Sequence, residues 1–288
     1  MRLLPALPSA GHARGVFLLA LSGLIFTFEV ALVRYVGARA TPEQVVFARA
    51  FAQFVLILAW FVWTGRWSAL RTDRLDLHLA RGAASIASWW FYYKSFLSLD
   101  LALATTLTFT TQLFVVAFAG PVLGERVGLR RAGLAAFGFL GVIVVTRIGS
   151  VQFDPMVLYG LFSAVIGAAI IFLSRALTRT ETTPAILFYI GVMTSLAAGV
   201  ALLARPAPIA ALDLALISLA GAFGAIGMAV MIEAYRVGEV SALAPVPYLR
   251  LVFALVIGLL AFGEVPSWTT LVGAGIIVVA ALSASRSG

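Results

Sequence analysis

The sequence predicts an all-α membrane protein, with ten transmembrane helices arranged as two five-helix repeats of inverted topology and both termini cytoplasmic. Three observations carry that prediction. Of 288 residues, 62% are hydrophobic and 11% charged, against about 45 to 50% and about 25% in a soluble domain. The apolar residues fall into runs of about 20, the length that crosses roughly 30 Å of hydrocarbon. Short matches also recur between the two halves at a nearly constant offset.

A globule of this size has too little interior for so much apolar surface, so lipid must face a large share of it. The net charge of +8 is spread singly between apolar runs, with no basic stripe, which argues against a nucleic-acid partner. The chain has no cysteine, so disulfides, thiolate chemistry and Cys-ligated metals drop out.

Cutting at charge, Gly and Pro clusters gives segments 15–35, 43–64, 77–98, 101–123, 129–147, 155–175, 183–204, 211–236, 240–262 and 267–285. The first follows a basic, Pro-containing stretch and lacks a small-residue cleavage site before its polar end, so it reads as a retained span. The second opens on Thr41-Pro42, the third is rich in aromatic residues, and the fourth carries a run of threonines. The fifth, eighth and tenth contain spaced glycines (Gly138 and Gly141; Gly221, Gly224 and Gly227; Gly273 and Gly275), which suit close helix contact rather than phosphate binding, because no strand precedes them. The sixth and seventh echo the first and second. The ninth begins with Pro245 and Pro247, which remove helix hydrogen bonds and predict a kink.

Cytoplasmic loops hold an excess of Lys and Arg. One side collects Arg2, Arg14, Arg66, Arg71, Arg74, Arg81, Arg126, Arg130, Arg131, Arg175, Arg179, Arg236 and Arg286. The other has only Arg34, Arg39, Lys94, Arg147 and Arg205, which makes the first side cytoplasmic.

The internal repeat is the strongest functional pointer. Ser22 and Arg34 match Ser163 and Arg175, Thr41-Pro42 matches Thr183-Pro184, and Gly124-Glu125 matches Gly263-Glu264. Five helices per repeat is an odd number, so the second repeat (149–288) enters from the side opposite to the first (1–148). Inverted repeats give a transporter two nearly equivalent conformations around a midplane site.

Thr-Pro followed by Arg49, the Asp100 and Glu239 starts of segments 4 and 9 with their Ala-Leu-Ala runs, and the Gly-Glu that closes both resemble the drug/metabolite transporter superfamily in its ten-helix, EamA-type exporter branch. The third segment, with Ser88-Trp89-Trp90-Phe91-Tyr92-Tyr93-Lys94, looks most like bacterial exporters of aromatic and other amino acids. The resemblance implies efflux of a small metabolite across the inner membrane through a cavity lined by both halves, with helices 5 and 10 peripheral.

Candidate site residues follow from polarity inside spans. Glu29, Arg49 and Lys94 share a depth of roughly 7 to 9 Å below the predicted periplasmic boundary. Charge there is costly and sought by a partner, so Glu29 pairs with Arg49 in a gating or coupling role, or as a structural pair, with Lys94 beside them or reaching the headgroups. Ser85, Ser88, Trp89 and Tyr92 share one helical face, and the mid-span Trp89 suits an apolar or aromatic substrate. Thr105, Thr108 and Gln112 form a polar stripe that lines a cavity or glues helices. Pro245 and Pro247 free backbone carbonyls beside Tyr248. Arg250, near mid-membrane, is a candidate for a substrate carboxylate. The flexible Met228 and Met231, with Tyr235, lie on one face of segment 8.

No cofactor or metal is expected, and the absence of His-Glu-x-x-His and Gly-x-Ser-x-Gly argues against an intramembrane enzyme. Without a Walker motif, transport is secondary or facilitative, and proton coupling would rest on Glu29 alone. The partners expected are the bilayer and a small-molecule substrate, an amino acid or similar metabolite, with the chain acting as a monomer or homodimer. Nucleosides, purines or cationic drugs are alternative cargoes on the same scaffold, and a channel or structural membrane protein is the alternative from another class.

Overall fold

The computed structural model describes residues 10–96, 107–146, 156–263 and 265–285. Its main helices are α1 (Ala10–Val36), α2 (Pro42–Thr64), α3 (Leu75–Phe96), α4 (Thr111–Leu123), α5 (Leu129–Thr146), α6 (Met156–Leu177), α7 (Thr183–Ala204), α8 (Ala211–Val237), α9 (Leu249–Phe262) and α10 (Trp268–Ser285). Among the described residues there is no strand.

Six stretches are long and apolar enough to cross a bilayer: Gly11–Val36, Pro42–Thr64, Met156–Leu177, Thr183–Ala204, Ala211–Val237 and Val240–Phe262. Leu107–Leu123 and Trp268–Ser283 are shorter apolar helices. Large apolar side chains such as Val62, Leu196, Val200, Leu203 and Leu260 point outward, which water would penalise and hydrocarbon would not.

The helix ends follow from their residues. Thr41 caps α2 in a reciprocal box with Gln44, and Pro42 occupies the first helical position, where its missing N–H costs nothing. In α7 the capping residue is Thr182, whose hydroxyl accepts from Ala185 N, so the cap sits one residue before the repeat match. Gly124 and Gly263 end α4 and α9 in the left-handed conformation, at φ +72° and +68°, where a Cβ would be strained. The two halves of the Gly-Glu match thus stop their helices in the same way. As the prolines predict, the ninth segment does not begin as a regular helix. A single turn at Val240–Leu243 gives way to a 3-10 turn at Val246–Tyr248 before α9 starts at Leu249. The Glu125 carboxylate accepts from Val240 N and Ser241 N at 2.8 and 2.9 Å, which caps the short turn.

In the bundle, α1 packs on α8 and α9, α3 on α6 and α7, α2 on α7 and α8, α4 on α6, and α5 on α10. Glycines set the closest approaches. A Cβ at Gly221 of α8 would lie 2.7 Å from Arg49 Cα, one at Gly224 2.9 Å from Glu29 Oε1, and one at Gly227 3.1 Å from the Phe26 ring. A Cβ at Gly191 of α7 would lie 3.2 Å from Phe54 Cα of α2, and one at Gly141 of α5 2.9 Å from Gly273 O of α10.

Gly221→Ala drives a Cβ into backbone and lowers the melting temperature in detergent by roughly 3 to 8 °C. Gly275→Ala, which meets nothing within 4 Å, leaves it unchanged or slightly higher. Equal melting temperatures for the two variants would contradict this packing.

Candidate functional site

Small side chains on α7 (Ala197, Ala198, Ala201) and Ala50 on α2 leave space between α2, α3, α7 and α8, where a cavity of about 890 Å³ forms. Arg49, Gln53, Ser85, Thr194 and Arg205 contribute polar groups to its wall, and Ile86, Trp90, Ile190 and Met228 apolar ones. Gln53 Nε2 donates to Leu187 O at 3.0 Å, which ties α2 to α7 beside the Gly191 crossing.

The two ends of the cavity differ. One reaches the start of α2 and the end of α7, at Thr41, Glu43, Arg205 and Ala207. The pair Arg205–Glu43 at that mouth is 3.3 Å long, with the arginine side chain 80% exposed. The other end is sealed. Arg236 donates to Thr178 O at 2.6 Å, Glu181 O at 3.0 Å and Thr183 Oγ1 at 3.0 Å, and Thr183 also bonds Glu233. Thr72 Oγ1 donates to Glu181 Oε1 at 2.7 Å and Tyr189 OH to Leu70 O at 2.8 Å, tying the α2–α3 loop to the α6–α7 turn and to α7. His78 is buried between Glu181, 3.8 Å away, and the Tyr189 ring at 4.2 Å.

Glu29 and Arg49 meet as their depths predict, with Arg49 Nε 2.5 Å from Glu29 Oε1. Glu29 is 4% exposed, and its second oxygen is buried with no hydrogen-bond partner among the described residues. The Arg250 guanidinium lies 5.4 Å over the Phe26 ring, within electrostatic reach of Glu29, Arg49 and Tyr92. Residues from α1, α2, α3 and α9 therefore converge next to the cavity, although only Arg49 of this group lines it.

Other expected residues lie elsewhere. Ser88 bonds Ser163 of α6, 3.2 Å between hydroxyls, and so joins α3 to α6. The cavity side of α3 is Ser85, Ile86 and Trp90, a face rotated from the one containing Ser88. Tyr248 packs on Gly138 of α5 and on Phe109, and its hydroxyl is buried with no partner among the described residues. Gln112 is buried and Thr108 is exposed, while neighbouring Thr111 packs against Gly167 of α6. Pro245 and Pro247 flank the start of the 3-10 turn. Thr105 and the side chains of Trp89 and Lys94 lie outside the described residues.

Sequence reasoning missed Arg81. Counted above with the cytoplasmic loops, it lies in the second turn of α3 and is 1% exposed. The signal was available, since it stands four residues inside segment 77–98 with Ser85 one turn further on. The indole in the wall is Trp90, one position from the expected Trp89 on the same helix.

The EamA-like transporter family model matches this chain twice, over residues 13–147 and 154–286. The S-adenosylmethionine uptake transporter of Rickettsia prowazekii (strain Madrid E) is 25% identical over 271 residues, covering 94% of this chain and 92% of the relative. The pseudopaline exporter CntI of Pseudomonas aeruginosa is 26% identical, with 95% and 96% covered. The riboflavin transporter of Brucella anthropi is 27% identical, with 88% and 92% covered. A solved crystal structure superimposes with a TM-score of 0.79 at 18% identity, covering 92% of this chain and 94% of the other, a likeness of fold alone. The chain belongs to the EamA-like transporter family of the drug/metabolite transporter superfamily, and it is a multi-pass inner-membrane transporter, not an enzyme.

Proposed function

We propose that this transporter exports small metabolites, aromatic and other neutral amino acids foremost, by secondary or facilitative alternating access around a cavity between two inverted five-helix repeats. The observation that carries the reading is the cavity of about 890 Å³, which reaches one end of the bundle and is sealed at the other. A carrier caught in one of its two states has that form.

The duplication is supported by the double family match and by the packing pairs. Exchanging α1–α5 with α6–α10 turns α1 on α8 into α6 on α3, α4 on α6 into α9 on α1, and α2 on α8 into α7 on α3, all of which occur. It leaves α2 on α7 and α5 on α10 unchanged, as pairs on a twofold axis would be. The excess of arginine at the sealed end supports its assignment to the cytoplasm, which makes the present conformation outward-facing. An apolar wall of Ile86, Trp90 and Ile190 near the Glu29–Arg49 pair supports a cargo with an apolar side chain and a charged backbone. The cavity volume favours a second reading, a larger metabolite on the same scaffold, in keeping with relatives named for S-adenosylmethionine, pseudopaline and riboflavin.

In proteoliposomes tested with amino acids, nucleosides, purines and cationic drugs, aromatic amino acids give saturable, trans-stimulated flux. Saturable flux of purines or drugs alone moves the assignment to the second reading, and linear flux for every compound rules out a carrier. Glu29→Gln lowers flux at pH 7 by about tenfold or more, because it leaves Arg49 without its counter-charge beside the cavity. The double variant with Arg49→Gln recovers melting temperature relative to Glu29→Gln alone. Unchanged rate and pH profile in Glu29→Gln would make the pair structural only.

A further inference from the structure

Arg81 is the charge that transport through this cavity leaves unexplained. Its Nε donates to Ser174 Oγ at 2.9 Å, one Nη to Ser85 Oγ, and the other reaches Met228 Sδ at 3.9 Å. All three acceptors are neutral, and no described carboxylate forms an ion pair with it. The two arginines in the cavity wall are matched, Arg49 by Glu29 and Arg205 by Glu43. A buried cation with no counter-ion is costly in a span, so a protein that keeps one has a use for it.

The surroundings are built to present this cation. Ser85 Oγ spends its proton on Arg81 O at 3.0 Å, and Ser174 Oγ spends its own on Ile170 O at 2.8 Å. Both hydroxyls are thereby held as acceptors toward the guanidinium. Ser85 and Met228 line the inner end of the cavity, so Arg81 sits directly behind its floor. The Nη facing Met228 is held only by a soft, distant thioether, a weak acceptor on a flexible side chain that can swing aside.

We propose that the inner end of the cavity is a carboxylate subsite, in which Arg81 receives the acid group of the transported molecule as Met228 moves away, with the rest of the cargo against Ile86, Trp90 and Ile190. A single planar guanidinium with one unit of charge matches a carboxylate monoanion better than a phosphate dianion. The proposal rests on the cavity being the transport cavity, and it gives the cargo's class and direction: an anion or zwitterion with its acid toward the sealed end.

The chain has no cysteine, so single cysteines can report the local potential. The test places one at Ile86, at the cavity's inner end, or at Ala201, toward its mouth. In each, labelling rates are compared for an anionic (ethylsulfonate) and a cationic (trimethylammonium) methanethiosulfonate in proteoliposomes. The anionic-to-cationic ratio is expected to be about tenfold higher at Ile86→Cys than at Ala201→Cys. Arg81→Gln brings it within about twofold of the mouth value, and Arg81→Lys preserves it. Equal ratios at the two positions in the background with Arg81 overturn the subsite whether or not Arg81→Gln folds, and an anion preference that survives Arg81→Gln overturns the role of Arg81. An Arg81-dependent preference in a protein that moves none of the panel compounds would leave the subsite standing and remove the transport reading.

Discussion

The structure depends on α8 having no side chain where α1 and α2 press against it. Gly221, Gly224 and Gly227 recur every three residues and receive, in turn, the backbone at Arg49, the Glu29 carboxylate and the Phe26 ring. Helices in lipid gain nothing from burying apolar surface against one another and associate through close packing and interhelical polar contacts. The glycine face allows that closeness, and the ion pair between α1 and α2 is its polar counterpart. A Cβ on this face would hold Glu29 and Arg49 away from the helix that walls them in, leaving each charge in a medium that punishes it. One glycine face thus holds three helices together.

The two ends of the cavity are held by interactions of different character. At the mouth the ion pair Arg205–Glu43 is exposed, where water and salt screen it and its net worth is small. At the sealed end the links are short hydrogen bonds among buried or half-buried groups, several to backbone carbonyls. Breaking those requires replacement partners, so the sealed end is the more firmly held of the two.

How much was legible in the sequence follows from which constraint acts on each residue. Lipid imposes length and polarity along the helix axis, so the six apolar stretches long enough to cross a bilayer, the break at Pro245 and Pro247, and the meeting of Glu29 with Arg49 could be read from the order of residues. Rotation about the axis is another matter. When lipid, protein and cavity faces are all mostly apolar, periodicity does not separate them. That is why Ser88 turned out to join α3 to α6, Tyr248 to pack on Gly138, and Trp90 rather than its neighbour to be the indole seen in the wall. The burial of Arg81 is hidden in the sequence for a related reason: a cation near the predicted cytoplasmic end is expected at the surface, and packing by Ser174 and Met228 from other helices removes it from there.

The crossing of α2 and α7 has a mechanical consequence. The two helices come close backbone to backbone where Gly191 faces Phe54, near the middle of α2, while farther out the Phe47 ring lies against Gly199 and the cavity opens beside them. Two crossing rods work as scissors, so in the alternating access proposed above drawing the outer arms together would spread the inner ones. With such a fulcrum, the proposed exchange would shut the mouth and part the sealed end in a single stroke, and a passage open at both ends would require the crossing itself to give way.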